Sequence, residues 1–302
     1  MPAPEHDEWT STPDFPELPM ISTTHQPTDR TAAFGNPSAD PDDARLLAEV
    51  VAAVTAAGAA LLRRYDPAAR AGDRDELFAA LEANEATSAA ILRPALTALR
   101  PDAGWAEGEL ETAALPPGEW WAVDAVEGNV NHVHGMPEWG VTATLLRDGV
   151  PVLTAVREPV LDRTTTALRG GGAERDGRPL RVSTKDGLAA ALVATGQAEA
   201  GQTASYRRIG DSITAMLGHA VLVRATVPST FPLLLVAGGH LDAFWQYEAV
   251  LPGIAAGALV VQEAGGRVTG PDGTPWRPGV RDVLAAAPGV HAATADVLAA
   301  VA

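Results

Sequence analysis

The stretch "WAVDAVEGNVNHVHGMPEWG", residues 121–140, constrains the fold of this chain most strongly. An apolar, aromatic run predicts a strand from Trp120 to Val123, which ends in Asp124 and Glu127 rather than in an ordinary turn. Carboxylates crowded at a strand end repel one another, so they indicate a cation between them or a retained proton. We interpret them as a metal-binding or acid–base pair; the alternative is a solvated turn.

Composition narrows the class of protein. The 302 residues are 46% apolar, which suffices for one large layered domain or two modest ones. No cysteine is present, which excludes disulfides and thiolate metal sites. The net charge of −16 would repel a nucleic-acid backbone, so we expect no nucleic-acid partner.

Targeting signals are not evident in the sequence. The N-terminus lacks the basic region and apolar core of a signal peptide. No uninterrupted apolar run reaches the roughly 18–20 residues of a membrane span. The longest approach, residues 231–239, predicts a buried strand or helix instead. We therefore expect a cytoplasmic protein with no membrane partner.

The chain divides by composition and periodicity. Residues 1–40 are rich in Pro, Thr, Ser and Asp and predict a flexible N-terminal arm. We expect an α+β subregion carrying the acidic motif at 41–185 and a C-terminal α/β subregion at 186–302.

Periodicity predicts the elements of a layered α/β protein with helices packed against sheets. Predicted helices cover about 41–64, 75–99 (with a possible break near Pro94), 209–217 and 254–264. Predicted strands cover 141–146, 152–156 and 164–168, which read as an antiparallel meander, and later 189–195 and 220–224.

Three segments in order carry a family resemblance. They are residues 123–160, beginning "VDAVEGNVNHVHG", residues 166–183, "TALRGGGAERDGRPLRVS", and residues 237–268, containing "LPGIAAGALVVQEAGG". Together they resemble the inositol monophosphatase-like, metal-dependent phosphatases over about residues 42–300. The resemblance implies a layered αβαβα sugar-phosphatase-like fold, bound Mg²⁺ and a small phosphorylated substrate. It also implies a homodimer, as does the apolar meander 141–156, which needs cover on both faces.

The resemblance also implies a metal site. Its ligands would be Asp124, the Val126 carbonyl, Glu127 in place of the family's second Asp, and an upstream Glu, for which Glu107 is preferred over Glu109. The family's late Asp is replaced by Gly253. We therefore expect fewer Mg²⁺ sites than are typical of the family.

Catalytic candidates follow from the same match. They are Asp124, Glu127, Asn129 and His132. Asn129 stands where the family has a water-orienting Thr, and Asn84 stands where it has the partner Asp. An amide can accept a hydrogen bond from water but cannot act as a hydroxyl relay. His132 replaces an apolar family residue beside the motif.

Substrate-binding candidates are more dispersed. They are Gly128, Gly172, Ala173, Arg224 and Glu248. Gly172 and Ala173 could instead form a tight turn, and Arg224 could pair with a surface carboxylate. Glu248 is also a candidate to replace the lost late ligand.

Three functions remain open on this sequence. The first is a Mg²⁺-dependent phosphatase of a small phosphorylated metabolite that is weak on ordinary inositol phosphates. The second is a family relative repurposed for other acid–base chemistry on a small molecule. The third is a catalytically inactive binding or scaffold protein.

Overall fold

The computed structural model of the chain describes residues 40–106, 115–197 and 202–301. These residues belong to one compact unit. The predicted arm, residues 1–40, lies outside the described residues except for Asp40, and the predicted boundary near residue 185 stays a prediction.

Seven α-helices lie within the described residues. They are α1 (Pro41–Leu62), α2 (Arg74–Leu99), α3 (Asn129–Val133), α4 (Ala204–Leu217), α5 (Thr230–Ala237), α6 (Leu251–Glu263) and α7 (Pro288–Ala299).

Capping explains where the first two helices begin. The Asp40 side chain accepts a hydrogen bond from the Asp42 amide at 2.8 Å, and the Asp73 side chain accepts one from the Glu76 amide at 2.9 Å. Pro94 lies inside α2 without ending it, so the possible break does not occur. Both predicted helices are confirmed.

Among the described residues, α1 is the one helix long and apolar enough to cross a membrane by composition. Its apolar face, including Val50, Val54 and Leu61, is buried in the same core cluster as Trp121 and Trp139. This packing makes α1 a core helix of the folded unit.

The first sheet has seven strands in sequential order. They are β1 (Gly104–Trp105), β2 (Glu119–Glu127), β3 (Gly140–Arg147), β4 (Val150–Glu158), β5 (Arg163–Leu168), β6 (Gly172–Arg175) and β7 (Arg178–Pro179). β1 pairs with β2 in parallel, and every later neighbouring pair is antiparallel. The predicted meander is confirmed.

The second sheet has five strands in the order β11-β12-β10-β8-β9. They are β8 (Leu192–Thr195), β9 (Leu222–Ala225), β10 (Ala243–Gln246), β11 (Arg267–Thr269) and β12 (Val283–Ala286). β8 lies in parallel between β9 and β10, and β12 joins β10 to β11 by antiparallel pairs. Residues 231–239, predicted as a strand or helix, mostly form the helix α5.

The alternation of side chains along the strands shows which helices cover each face of the two sheets. In β4, Leu153 and Ala155 pack under α1 and α2, whereas Val156 packs with α5 and α6. In β10, Phe244 joins that same central cluster, whereas Trp245 packs towards α4 and α7. The order is therefore helix, sheet, helix, sheet, helix, which confirms the predicted layered fold.

The central strands of the first sheet receive cover from helices of the same chain on both faces. α1 contacts β3 and β4 on one face, and α6 contacts the same strands on the other. The argument that the meander needs a second subunit for cover is therefore wrong, and homodimerisation stays a prediction without that support.

Candidate functional site

The acidic pair sits at the irregular end of β2. This strand runs to Glu127, so both carboxylates belong to it, and the predicted strand end at Val123 is wrong. The register with β3 shifts between Asp124, opposite Thr142, and Glu127, opposite Gly140. A bulge of this kind redirects side chains, and here it turns two carboxylates three positions apart towards one another.

Glu127 is buried against Asp124. Its side chain is 2% exposed, and its Oε1 accepts a hydrogen bond from the Thr230 amide at 3.2 Å. Burial, followed by the charge of Asp124 and a hydrogen bond between the two carboxyl groups, raises the pKa of Glu127 well above its usual range. The pair therefore needs a proton or a cation between its oxygens.

Gly253 faces this pair from α6. The helix begins at Leu251 with Pro252 in its first turn, so the predicted start at Ile254 is wrong by one turn. A Cβ atom built on Gly253 would lie 3.6 Å from Glu127 Oε2. Thr230 connects the two residues, since its hydroxyl donates to the Gly253 carbonyl at 2.9 Å. A side chain at position 253 would thus point towards the Glu127 carboxylate.

The donor chemistry of this pair suits one hard cation. Two carboxylates and the Val126 carbonyl are oxygen ligands of the kind that Mg²⁺ prefers. The described residues contain no group of three or more His, Asp or Glu side chains that could hold a metal ion. Glu107 and Glu109 lie outside the described residues. Within the described residues, the oxygens that could hold an ion at this position are therefore those of Asp124, Val126 and Glu127.

Asp124 opens into a cleft of about 310 Å³ between α2, β1, β2 and the start of α6. Its lining residues are Glu85, Ala89, Leu92, Arg93, Trp105, Ala106, Val123, Asp124, Ala125, Val250 and Pro252. Sequence reasoning missed Glu85, Arg93 and Trp105. The spacing of residues 85, 89, 92 and 93 on one face of a helix could have revealed the α2 wall.

Asn84 and Asn129 form a hydrogen-bonded amide pair. Asn84 Nδ2 donates to Asn129 Oδ1 at 3.0 Å, and Asn129 Nδ2 donates to the Leu81 carbonyl at 3.0 Å. Asn84 Oδ1 accepts from Arg64 Nε at 2.8 Å. Each amide is therefore committed to protein partners, and neither group can take a proton from water.

His132 completes the same network. Its Nε2 lies 3.1 Å from the Leu61 carbonyl, so Nε2 carries the proton, and Nδ1 accepts from Asn84 Nδ2 at 3.0 Å. Burial lowers the pKa of His132, which keeps the ring neutral. The ring also packs edge-on against Trp139 and Tyr65. Both ring nitrogens thus have protein partners, and the catalytic role of His132 stays a prediction.

Three predicted substrate-binding residues, near the motif and in the β5–β6 turn, have contacts that the fold itself explains. Gly128 has φ +77°, and an added Cβ would lie 2.7 Å from the Glu138 carbonyl oxygen, so only glycine fits there without strain. The Gly172 amide donates to Glu263 at 2.9 Å, and Ala173 is buried in the central core. Gly172 and Ala173 lie outside the cleft lining, and the substrate roles of all three stay predictions.

Two further candidates lie on the second sheet and its loops. Arg224 is exposed on β9, the edge strand. Glu248 follows β10, pairs with Arg281 at 3.4 Å and lines a separate cavity of about 560 Å³ with Arg208 and Asp282. The structure therefore does not bring Arg224 or Glu248 to the cleft with Asp124.

Comparison with protein families places the chain among known proteins. The model of the inositol monophosphatase family matches residues 42–301. The chain is 32% identical over 185 residues to an inositol-1-monophosphatase of Rhizobium meliloti, covering 61% of this chain and 69% of that protein. It is 34% identical over 191 residues to the Nus factor SuhB of Pseudomonas aeruginosa, covering 62% and 69%.

The fold is also similar to a solved structure. An inositol monophosphatase from Anabaena superposes with a TM-score of 0.71 at 25% identity, covering 86% of this chain and 97% of that chain. The match extends across both sheets, since it includes most of the described residues.

Proposed function

The chain belongs to the inositol monophosphatase family, and from that premise we propose that it is a Mg²⁺-dependent phosphatase of a small phosphorylated metabolite. The family consists of metal-dependent phosphoric monoester hydrolases. We further propose that its activity on ordinary inositol phosphates is weak, that it binds fewer metal ions than is usual in the family, and that it works as a cytoplasmic homodimer.

One observation carries the proposal. Asp124 and Glu127 meet at the bulged end of β2, at the edge of a cleft of about 310 Å³. A buried carboxylate next to a like charge is costly, and it is retained where a cation or proton is part of the working site. A small-molecule cleft beside it is large enough for a phosphorylated metabolite.

Different residues of the site would bind the metal, orient Glu127 and exclude water. Asp124, Glu127 and the Val126 carbonyl would hold Mg²⁺, which supplies Lewis-acid neutralisation of phosphoryl oxygens when it is bound. The Thr230 amide fixes Oε1 of Glu127, and Oε2 lies towards Gly253. The apolar lining from Leu92, Val250 and Pro252 excludes water from one side of the cleft.

The amide pair accounts for the proposed weakness. Asn84 and Asn129 hold each other and cannot accept a proton from an attacking water. Loss of one well-placed polar group in a catalytic site costs about 10²–10³-fold in rate. In addition, Gly253 lacks the carboxylate that the family's late Asp would supply to the metal.

Phosphate release from a panel of sugar, inositol and nucleoside monophosphates, with and without Mg²⁺, tests the proposal. We expect Mg²⁺-dependent release from at least one ester, slow release from inositol monophosphate, and loss of both in Asp124→Asn. Release that is unchanged by EDTA or by Asp124→Asn would contradict the assignment of this cleft as the active site.

A second candidate is a binding protein without turnover. The fully committed network of Asn84, Asn129 and His132 favours it, because no described residue there can activate water. One relative is named as a Nus factor, not as a phosphatase. Phosphate release from no ester, combined with retained ligand binding, would select this candidate over the first and over repurposed acid–base chemistry.

A further inference from the structure

The cleft contains a cation that the sequence analysis did not single out. Arg93 projects from α2, and its guanidinium carbon lies 4.6 Å from the centre of the Trp105 ring. Both side chains line the cleft that also contains Asp124. A cation over an indole face is attracted by the ring's negative face, which restrains where the guanidinium sits.

The backbone fixes this arrangement from two sides. β1 places Trp105 opposite Trp121 in parallel register, three residues before Asp124. An added Cβ on Gly104 would lie 2.5 Å from the Trp120 ring, so the close approach of β1 to β2 requires glycine at that position. The wall that carries Arg93 is one face of the continuous helix α2. Arg93 itself is an exposed residue of that wall, and the ring of Trp105 restrains its guanidinium at the edge of the cleft.

Charge makes this cation necessary. Among the described lining residues, Arg93 is the single positive side chain, beside the carboxylates of Glu85 and Asp124. A phosphate monoester carries up to two negative charges and would be repelled by those carboxylates. A positive side chain in the same cleft would offset part of that repulsion. A planar guanidinium matches phosphate oxygens with paired N–H donors, which an ammonium cannot do.

We propose that Arg93, held over Trp105, binds the phosphoryl group of the substrate in this cleft. The inference rests on the proposed function for the identity of the substrate and deepens it by naming the residue that recognises the anion. It places phosphate recognition on α2 and not on Arg224, which is exposed on the edge strand β9.

The test is calorimetric titration of the whole chain with inorganic phosphate at saturating Mg²⁺. We expect Arg93→Gln to weaken phosphate binding at least tenfold, and Arg93→Lys, which keeps the charge but not the fork, to weaken it by a smaller factor. Arg74→Gln is the matched control, because Arg74 lies on the same helix over the ring of Phe78 at 5.2 Å but outside the cleft lining. Its phosphate affinity should equal that of the parent.

Each outcome decides the proposal. Unchanged affinity in folded Arg93→Gln, no phosphate binding by the parent, or loss in Arg224→Gln but not in Arg93→Gln would overturn it. If Arg93→Gln alone fails to fold, Arg93→Lys decides in the same way. Loss of binding in the Arg93 variants, with no phosphate release by the parent from any ester, would support the inference while refuting phosphatase function. Phosphate release by the parent, with KM and phosphate affinity unchanged in Arg93→Gln, would support phosphatase function while refuting the role of Arg93.

Discussion

Two buried carboxylates in this molecule have opposite surroundings. Asp242 is 0% exposed and is fully partnered: it accepts from the Ser183 hydroxyl, from Lys185 Nζ at 2.7 Å and from the Leu192 amide at 2.7 Å. Glu127 is 2% exposed, has one backbone donor in Thr230, and lies against another acid, Asp124.

The difference separates a structural carboxylate from a functional one. Asp242 brings its own cation, so its burial ties the start of β8 to the segment that follows β7. Glu127 has a second acid beside it in place of the half-exposed Lys185, and burial next to a like charge is unfavourable. A carboxylate left in that condition is available to a metal ion or a proton, whereas Asp242 is not.

The largest expected effect comes from restoring the family's metal-side and water-side groups around position 127. We expect Asn84→Asp, Glu127→Asp, Asn129→Thr and Gly253→Asp, made together, to raise phosphate release from inositol monophosphate by about 10²–10³-fold at saturating Mg²⁺. Asn84 is included because it is hydrogen-bonded to Asn129, and the four groups should act as a unit. The assay compares initial rates of phosphate release.

The parent and a partial variant serve as controls for that comparison. Asn84→Asp with Asn129→Thr, without the two metal-side changes, should recover only a small part of the gain. A parent that already turns over inositol monophosphate at about 10 s⁻¹ would show that the missing groups are replaced elsewhere.

Removing the charge of Asp242 should be the next largest effect. Asp242→Asn removes the counter-charge of Lys185, whose side chain is 36% exposed, and weakens the charge-assisted hydrogen bonds that the buried carboxylate accepts, so we expect a loss of about 2 kcal/mol of unfolding free energy. Urea unfolding measures it, with Asp211→Asn on the exposed side of α4 as the control. A loss no larger than in the control would mean that Asp242 is not the structural carboxylate described here.

The same kind of substitution at Glu127 should have the opposite sign. In Glu127→Gln the amide is neutral without taking up a proton, and it can donate to Asp124 while its oxygen keeps the Thr230 amide, so folding no longer bears the cost of protonating a buried acid at neutral pH. We expect about 1–2 kcal/mol of added stability in EDTA, measured by urea unfolding. Glu82→Gln, exposed on α2, is the control. Destabilisation of Glu127→Gln in metal-free buffer would remove the contrast with Asp242.

The smallest effect tests whether there is space beside Glu127. Alanine at Gly253 would meet Glu127 Oε2 at an ordinary 3.6 Å, so helix propensity should dominate and add about 0.5–1 kcal/mol. Gly257 on the same helix is the matched contrast, because its Cβ would lie 2.4 Å from Leu233 Cδ1. Thermal unfolding should show a rise for Gly253→Ala and a fall for Gly257→Ala; a fall in both would mean that the space beside Glu127 is already filled.

Local patterns predicted most of the elements in this fold. The periodicity of α1 and α2, the acidic first turns and the β-branched runs of β3 to β5 are properties of short windows, and the structure confirms them. Boundaries were less accurate where tertiary pairing extends an element. β2 continues to Glu127 because it stays paired with β3 through a register shift, which no property of the residues at 124–127 announces.

The candidate site shows the same division. The sequence identified Asp124 and Glu127 as neighbours because they are close along the chain. It missed Arg93 and Trp105, since one lies on a helix and the other on a two-residue strand, and only packing brings them to one cleft. It placed Arg224 in the substrate site because charge alone suggested it.

By itself the sequence indicated the layered architecture through its periodicity and the family through the resemblance of three ordered motifs. The departures from the family pattern at Glu127, Asn129 and Gly253 rest on the same resemblance and stay predictions. The tertiary structure alone decided that Glu127 faces Gly253, that Asn129 is committed to Asn84 and the Leu81 carbonyl, and that a single cleft cation stands beside the acids among the described lining residues. The physical reason is that hydrogen bonds and charge pairs act over a few ångströms. Residues about 30 to 125 positions apart reach that distance only after the helices and sheets have packed.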